Sequence, residues 1–159
     1  MSTVPASTIV APEPGTVDYR LEVVILPVAD TDRAKAFYAS LGWREDADFP
    51  IRDDFRVVQM TPPGSTASVI FGTGVTAKGR GPVENMVLAV YDIDAARADL
   101  VARGVDVSEL FHSSAFDHES ERVYGPDPER QSYSTFASFR DPDGNGWLLQ
   151  EIRTRLPGR

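Results

Sequence analysis

The chain has 159 residues, 42% of them apolar and 25% charged, a composition typical of one soluble globular domain. Its formal net charge of −8 argues against a nucleic-acid partner, because affinity for nucleic acid depends on basic residues that neutralise phosphates. Without cysteine it can form neither a disulfide nor a thiolate metal site, which fits a cytoplasmic protein.

The first 19 residues are rich in Ser, Thr, Pro and Gly and show no sustained periodicity. They predict a flexible N-terminal arm, 1–19, ahead of one domain over 20–156. The apolar run at Ile9–Ala11 is too short for a secretory signal, and no later run reaches the roughly 18–20 apolar residues of a membrane span. We therefore expect no membrane partner.

One sequence pattern occurs twice, at a constant offset of 62 residues. In each copy an apolar, β-branched run, Leu21–Val28 or Val83–Val90, predicts a strand. An Asp suited to cap a helix follows each run, and Gly42 and Gly104 stand where the two predicted helices end. The identical pairs are Val28/Val90, Asp30/Asp92, Asp32/Asp94, Ala34/Ala96 and Ala36/Ala98.

Three stretches of strand character follow each predicted helix: 43–48, 55–61 and 67–72 in the first copy, and 105–111, 134–139 and 147–152 in the second. Turns are predicted at Pro62–Gly64 and Asp141–Asn145. Each copy therefore reads βαβββ. The predicted fold class is α+β, with two βαβββ modules, about 20–74 and 83–153, joined by a linker at 75–82.

The sequence at this point resembles the vicinal-oxygen-chelate superfamily, which includes glyoxalases, bleomycin-resistance proteins and extradiol dioxygenases. The resemblance rests on the duplication, on the segment Val28–Tyr38 with Leu41-Gly42-Trp43, and on Phe139–Asn145 with its Asp-Pro-Asp-Gly-Asn turn. It covers about residues 20–153. It implies a curved mixed sheet in which the two modules form a cleft, and often a homodimer.

The resemblance also implies four positions for metal ligands, one in the first strand and one in the last strand of each module. Here these positions hold Val23, Ser68, Asn85 and Leu148. None of them is a good ligand for a divalent cation, which is bound by carboxylate oxygen or imidazole nitrogen. We therefore expect no metal cofactor.

Glu151 allows two interpretations, as a displaced metal ligand or as a carboxylate at the rim of the site near Arg153. Alternation along the last strand favours the rim, because it turns Leu148 and Gln150 to the opposite side of the strand from Glu151.

A long segment without periodicity, Ser113–Tyr133, follows the second module's predicted strand at 105–111. It contains His118, one of only two histidines, and begins next to the other, His112. A segment of this length is typical of a lid or a binding loop, and equally of a solvated surface loop. The predicted ligand-binding residues are His112, Asn85, Ser68, Gln150, Gln59 and Tyr133.

Two functions follow from these observations. One is a protein that binds a small molecule in the cleft without the metal usual in the family. Neither nucleic acid nor a membrane is expected as its partner. The alternative is an enzyme of the same superfamily, a lyase, isomerase or dioxygenase, with unusual ligands such as His112 and Glu151. No catalytic residue is predicted, and a homodimer is expected.

Overall fold

The computed structural model describes residues 6–113 and 119–158, which divide into two compact units between Arg80 and Gly81. This boundary falls within the predicted linker, 75–82. The first unit contains β1 (Val23–Ile25), α1 (Thr31–Ser40), β2 (Arg44–Arg52), β3 (Phe55–Thr61) and β4 (Ser68–Phe71). The second contains β5 (Met86–Val90), α2 (Ile93–Ala102), β6 (Phe111–His112), β7 (Val123–Tyr124), β8 (Phe136–Arg140) and β9 (Gly146–Glu151).

Each unit contains one mixed sheet, and the equivalent strands of the two units follow one another in the same order across the two sheets. The first runs β1-β4-β3-β2 and the second β5-β9-β8-β6-β7. The first strand of each unit is parallel to the last, and the other strand pairs are antiparallel. The predicted α+β fold of two repeated modules is confirmed, with β7 as an additional edge strand in the second.

The helix boundaries lie where the repeat predicts them. The side chain of Asp30 accepts a hydrogen bond from the Arg33 amide, and that of Asp92 accepts one from the Ala95 amide. Each bond satisfies a helix N–H group that has no partner within the helix. At the other end Gly42 and Gly104 have φ values of 82° and 86°, a conformation that glycine adopts without steric cost.

In the first unit the aromatic core forms around Tyr38 of α1, which is fully buried. Its ring lies 4.7 Å from that of Trp43 and 5.7 Å from that of Phe71. In the second unit Ile93 of α2 and Leu149 of β9 are buried, as is Trp147. Both tryptophans are therefore core residues, as expected for large apolar side chains.

A network of charges joins α1 to β2 and β3 in the first unit. Arg56 donates through Nε and Nη2 to the Asp48 carboxylate at 2.9 and 2.8 Å, and Lys35 donates to it at 2.7 Å. The Arg56 guanidinium, with Lys35, holds the pKa of Asp48 well below its usual range. This pair links two neighbouring strands on a partly buried surface.

Several predicted bounds differ from the structure, most of all in the second unit. In place of the strand predicted over 105–111, the structure has a strand at Phe111–His112 only. At Ser108 the backbone N–H donates to the Ser138 carbonyl, but the Ser138 amide donates at 2.9 Å to the Ser108 hydroxyl, so the backbone pairing is incomplete there. The segment Ser113–Tyr133 is not wholly irregular, since β7 pairs with β6 and a 3-10 turn spans Glu119–Glu121. Predicted residue His118 lies outside the described residues.

Within the described ranges, 6–113 and 119–158, no helix has the length and apolar character needed to cross a membrane. Residues 6–22, the described part of the predicted arm and the three residues after it, contain no helix or strand and are exposed.

Candidate functional site

The second unit contains a cavity of about 430 Å³ against its sheet. Ligand pockets commonly measure roughly 300–1,000 Å³. Strand pairing sets Leu148 of β9 beside Val87 of β5 and Ser138 of β8, so these three side chains share one face. Glu151 and Leu149 lie on the other face, where the Glu151 carboxylate meets the first turn of α2. The cavity is therefore on the side of the sheet opposite to the helix.

One lining residue, Leu148, belongs to a buried apolar and aromatic cluster. Phe111, Phe136 and Leu148 form one buried cluster, with exposed fractions of 1%, 3% and 3%. The rings of Phe111 and Phe136 stack with centroids 5.7 Å apart. Phe111 and Phe136 stand behind the lining residues, and Leu148 and Tyr124 line the cavity with apolar area against which an organic molecule can bury its own.

Arg122 is the charged residue set deepest in the cavity wall. Its guanidinium carbon lies 4.0 Å from the centre of the Phe111 ring, and only 8% of its side chain is exposed. Nη1 donates a long hydrogen bond, 3.4 Å, to the Ser138 hydroxyl. The Glu119 carboxylate is 3.7 Å away and 81% exposed. β7, which begins at the next residue, positions Arg122 by pairing with β6.

The Asp141–Asn145 turn shapes one end of the cavity. The Asp141 carboxylate accepts the amides of Asp143 and Asn145, and the Asn145 side chain accepts the Val83 amide at 3.0 Å. These bonds fix the chain just ahead of Asn85, which lines the cavity with a φ of 60°. Asparagine tolerates this left-handed conformation better than most residues do.

A second charged pair lies on the cavity wall near this turn. Arg140 donates to the Glu84 carboxylate at 2.9 Å and to the Gly144 carbonyl at 2.7 Å. Glu84 is therefore neutralised locally, and Asp106, which also lines the cavity, is exposed to solvent.

The predicted ligand-binding residues do not converge in this cavity. Asn85 lines it. Ser68 and Gln59 belong to the first unit, where the Ser68 hydroxyl lies 2.6 Å from that of Thr61 and Gln59 is half-buried on β3. A role for either in ligand binding stays a prediction.

His112, Gln150 and Tyr133 are held by backbone groups. His112 follows Phe111 on a strand and so points to the opposite face, where Nδ1–H donates to the Gly125 carbonyl at 2.8 Å. Gln150 donates to the Tyr133 carbonyl at 3.2 Å, and the Tyr133 hydroxyl accepts the Leu156 amide. None of the three lines the cavity, whose described wall includes instead Arg122, a residue that the sequence did not single out.

The residues at the expected metal positions do not fit a metal ion. Val23 pairs with Ser68, and Leu148 lies in the buried aromatic cluster. The strand register also corrects the equivalence of the modules: Ile25 pairs with Ile70 as Val87 pairs with Leu148, so Ile70, not Ser68, is the counterpart of Leu148. Aliphatic side chains at both places offer no ligand atom.

Glu151 is not the rim carboxylate that we predicted, because its side chain is completely buried. Its Oε2 accepts the Ile93 amide at 3.1 Å and lies 3.4 Å from Arg153, the neighbour predicted from the sequence. Packing against the start of α2, which the sequence pattern does not reveal, explains the burial. A carboxylate there also interacts favourably with the helix dipole.

Glu151, Asp92 and Asp94 each offer an oxygen, and the three oxygens lie within 4.8 Å of one another. Arg130 already lies against this cluster, 2.8 Å from Asp94 and 3.7 Å from Glu151. His112 is not part of the cluster. The arrangement joins the segment before β8 to α2 by ion pairs.

Comparison with known proteins places this geometry in context. Residues 20–149 match the model of the Glyoxalase/Bleomycin resistance protein/Dioxygenase superfamily. Similar solved structures include TnmS3, an antibiotic binding protein from Streptomyces sp. CB03234, at 27% identity and a TM-score of 0.63, covering 86% of this chain and 98% of that one.

Another similar structure, also from Streptomyces sp. CB03234, is a glyoxalase/bleomycin resistance protein, at 28% identity and a TM-score of 0.60, covering 83% of this chain and 100% of that one. A superfamily member from Sphaerobacter thermophilus DSM 20745 has 27% identity and a TM-score of 0.63, covering 84% and 98%. No curated protein matches the chain.

Proposed function

Because the chain belongs to the glyoxalase/bleomycin resistance protein/dioxygenase superfamily, we propose that it binds a small organic molecule in the cavity of its second unit, without a metal. The observation that carries the proposal is a cavity of about 430 Å³ on the sheet of the second unit, whose wall sets apolar side chains such as Leu148 beside polar and charged ones. A cavity of this size in which placed polar groups adjoin apolar side chains is typical of a small-molecule site.

Two further observations support binding without metal chemistry. The places where the family carries metal ligands hold aliphatic, hydroxyl or amide side chains in this chain. TnmS3, which resembles the chain over most of its length, is an antibiotic binding protein. A protein that sequesters a small compound needs only to bind it and does not need a metal for catalysis. A cytoplasmic homodimer is part of the same proposal.

Neutral N-phenyl-1-naphthylamine provides a direct test, because its fluorescence rises when it enters an apolar cavity. We expect saturable binding by the full chain. Ser138→Phe should weaken the binding by at least roughly tenfold, since the new ring projects from β8 into the space that the probe needs. Val101→Phe places the same ring on an exposed part of α2 and should leave the binding unchanged. Binding by neither wild type nor control, or equal binding by Ser138→Phe, would refute the proposal.

Among the described residues, the group of carboxylates that contains Glu151 does not include His112, the other ligand of the enzyme alternative. His112 is bonded to a backbone carbonyl, and Glu151 is bonded to the start of α2. Metal analysis of protein purified without a chelator separates the two functions. We expect no stoichiometric metal, and one equivalent of zinc, nickel, manganese or iron would favour the enzyme.

A further inference from the structure

We infer that Arg122 selects the ligand of the cavity, favouring a molecule that has an anionic oxygen beside an apolar or aromatic body; the inference rests on the proposed binding function. The net charge of −8 taken by itself would favour cationic or neutral ligands through its long-range field. The local arrangement of charges within the cavity is the basis for the difference.

The first argument is the burial of the Arg122 guanidinium, for which the described part of the chain provides no close carboxylate partner. A charge removed from water needs ion pairing and hydrogen bonds to offset the lost hydration. Among the described residues its nearest acidic oxygen is that of Glu119, at 3.7 Å on a side chain that is 81% exposed. A pair with such an exposed partner is weak, because water screens it.

The second argument is the hydrogen-bonding capacity of the guanidinium. Arginine has five N–H donors in a planar fork, and the described residues provide one hydrogen bond, the long one to the Ser138 hydroxyl. The face of the fork is covered by the Phe111 ring at 4.0 Å, so its remaining donors point outward around its edge. An oxyanion can accept two such donors at once, and such charge-assisted bonds are the strong ones.

The third argument is the distribution of the other charges on the cavity wall. Arg140 is occupied by Glu84 at 2.9 Å, so it does not compete with Arg122 for an anion. Asp106 and Glu119 are exposed, where solvent reduces their repulsion. Arg122 thus places a cation in the same cavity wall as the apolar side chains of Leu148 and Tyr124, and together they match a molecule with an apolar body and one anionic group.

A matched pair of probes tests this assignment. The neutral N-phenyl-1-naphthylamine and 8-anilino-1-naphthalenesulfonate share the same aromatic skeleton, and the second adds a sulfonate. We expect Arg122→Gln to weaken sulfonate-probe binding by roughly tenfold, the loss of a charge-assisted hydrogen bond, and to change neutral-probe binding by less than about twofold. Arg155→Gln removes an equal charge from an exposed residue and should change neither affinity.

The outcomes separate the two proposals. If both probes bind and Arg122→Gln weakens them equally, or weakens neither, the selection by Arg122 is refuted while the cavity retains its function. If neither probe binds wild-type protein, the binding function is refuted and the inference with it. Circular dichroism confirms folding of each variant. Should Arg122→Gln not fold, Arg122→Lys decides: a point charge without the fork should lower the ratio of sulfonate to neutral affinity, and an unchanged ratio would refute the inference.

Discussion

Replacing Glu151 tests whether this buried carboxylate stabilises the fold or serves a ligand. Its Oε2 accepts the Ile93 amide at 3.1 Å, and Arg153 and Arg130 lie 3.4 and 3.7 Å away. Glu151→Leu leaves a buried N–H group without its acceptor, which costs about 1–3 kcal/mol. The two arginines are partly exposed, so each lost ion pair adds only about 0–1 kcal/mol. We therefore expect Glu151→Leu to lower the free energy of unfolding by about 1–5 kcal/mol.

Glu151→Gln keeps an acceptor for the Ile93 amide and removes the charge, so the expected loss is smaller, about 1–2 kcal/mol. Urea titration followed by far-UV circular dichroism measures both losses, and Glu109→Gln, an exposed carboxylate nearby in the same unit, should change stability by less than about 0.5 kcal/mol. The structural role also predicts unchanged binding of N-phenyl-1-naphthylamine by Glu151→Gln.

The reasoning is refuted if both Glu151 variants are as stable as wild type, and still more clearly if they lose probe binding. A chelator that lowers the melting temperature of wild type but not of Glu151→Gln would instead identify Glu151 as a metal ligand. That result would revive the enzyme alternative, because the Asp92 and Asp94 oxygens lie within reach of the same ion.

Three further predictions concern the first unit and assembly. Asp48→Asn should lower the free energy of unfolding at pH 7 by about 2–3 kcal/mol, because it weakens the bonds to Arg56 and Lys35. Since folding lowers the pKa of Asp48, this advantage of the wild type is present above about pH 4 and should shrink as the pH falls below that value, which urea titrations at several pH values measure. Gly74→Ala should lower the free energy of unfolding by more than about 2 kcal/mol, since a Cβ would lie 2.4 Å from the Asp54 carbonyl oxygen. Gly79→Ala has a similar φ of 74° but open space around the new Cβ, and it should lower the free energy of unfolding by only about 1 kcal/mol. Equal losses in the two variants would refute the steric argument. Light scattering should give twice the monomer mass of 17.4 kDa, and a monomer at micromolar concentration would contradict the predicted homodimer.

The repeat made much of the fold predictable, because its signals are local. A helix cap needs one side chain and an amide three residues later, as at Asp30 and Arg33, and a helix end needs one glycine. The Asp141–Asn145 turn is likewise closed by its own side chains. Such patterns depend on neighbours in sequence, so a reading of the chain alone finds them.

The site was less predictable, because its residues meet through pairings distant in sequence. Arg122 reaches the Phe111 ring because β7 returns along β6, a pairing that no local sequence pattern indicates. His112 was favoured as a rare polar residue beside a long segment, but one step along a strand turns a side chain to the other face. Asn85, by contrast, stands at a position that the family resemblance singled out, and it does line the cavity; its contact with a ligand stays a prediction.

The burial of Leu148 in one cluster with two aromatic rings limits how this chain could acquire a metal site by substitution. A carboxylate introduced there alone would be buried against Phe111 and Phe136, and burial of a charge reduces stability unless ion pairing and hydrogen bonds offset the lost hydration. The aliphatic Ile70 stands at the equivalent place in the first unit and would need its own replacement. A metal-dependent descendant of this chain would therefore need several coordinated substitutions, since the first of them alone would reduce stability before any activity arose.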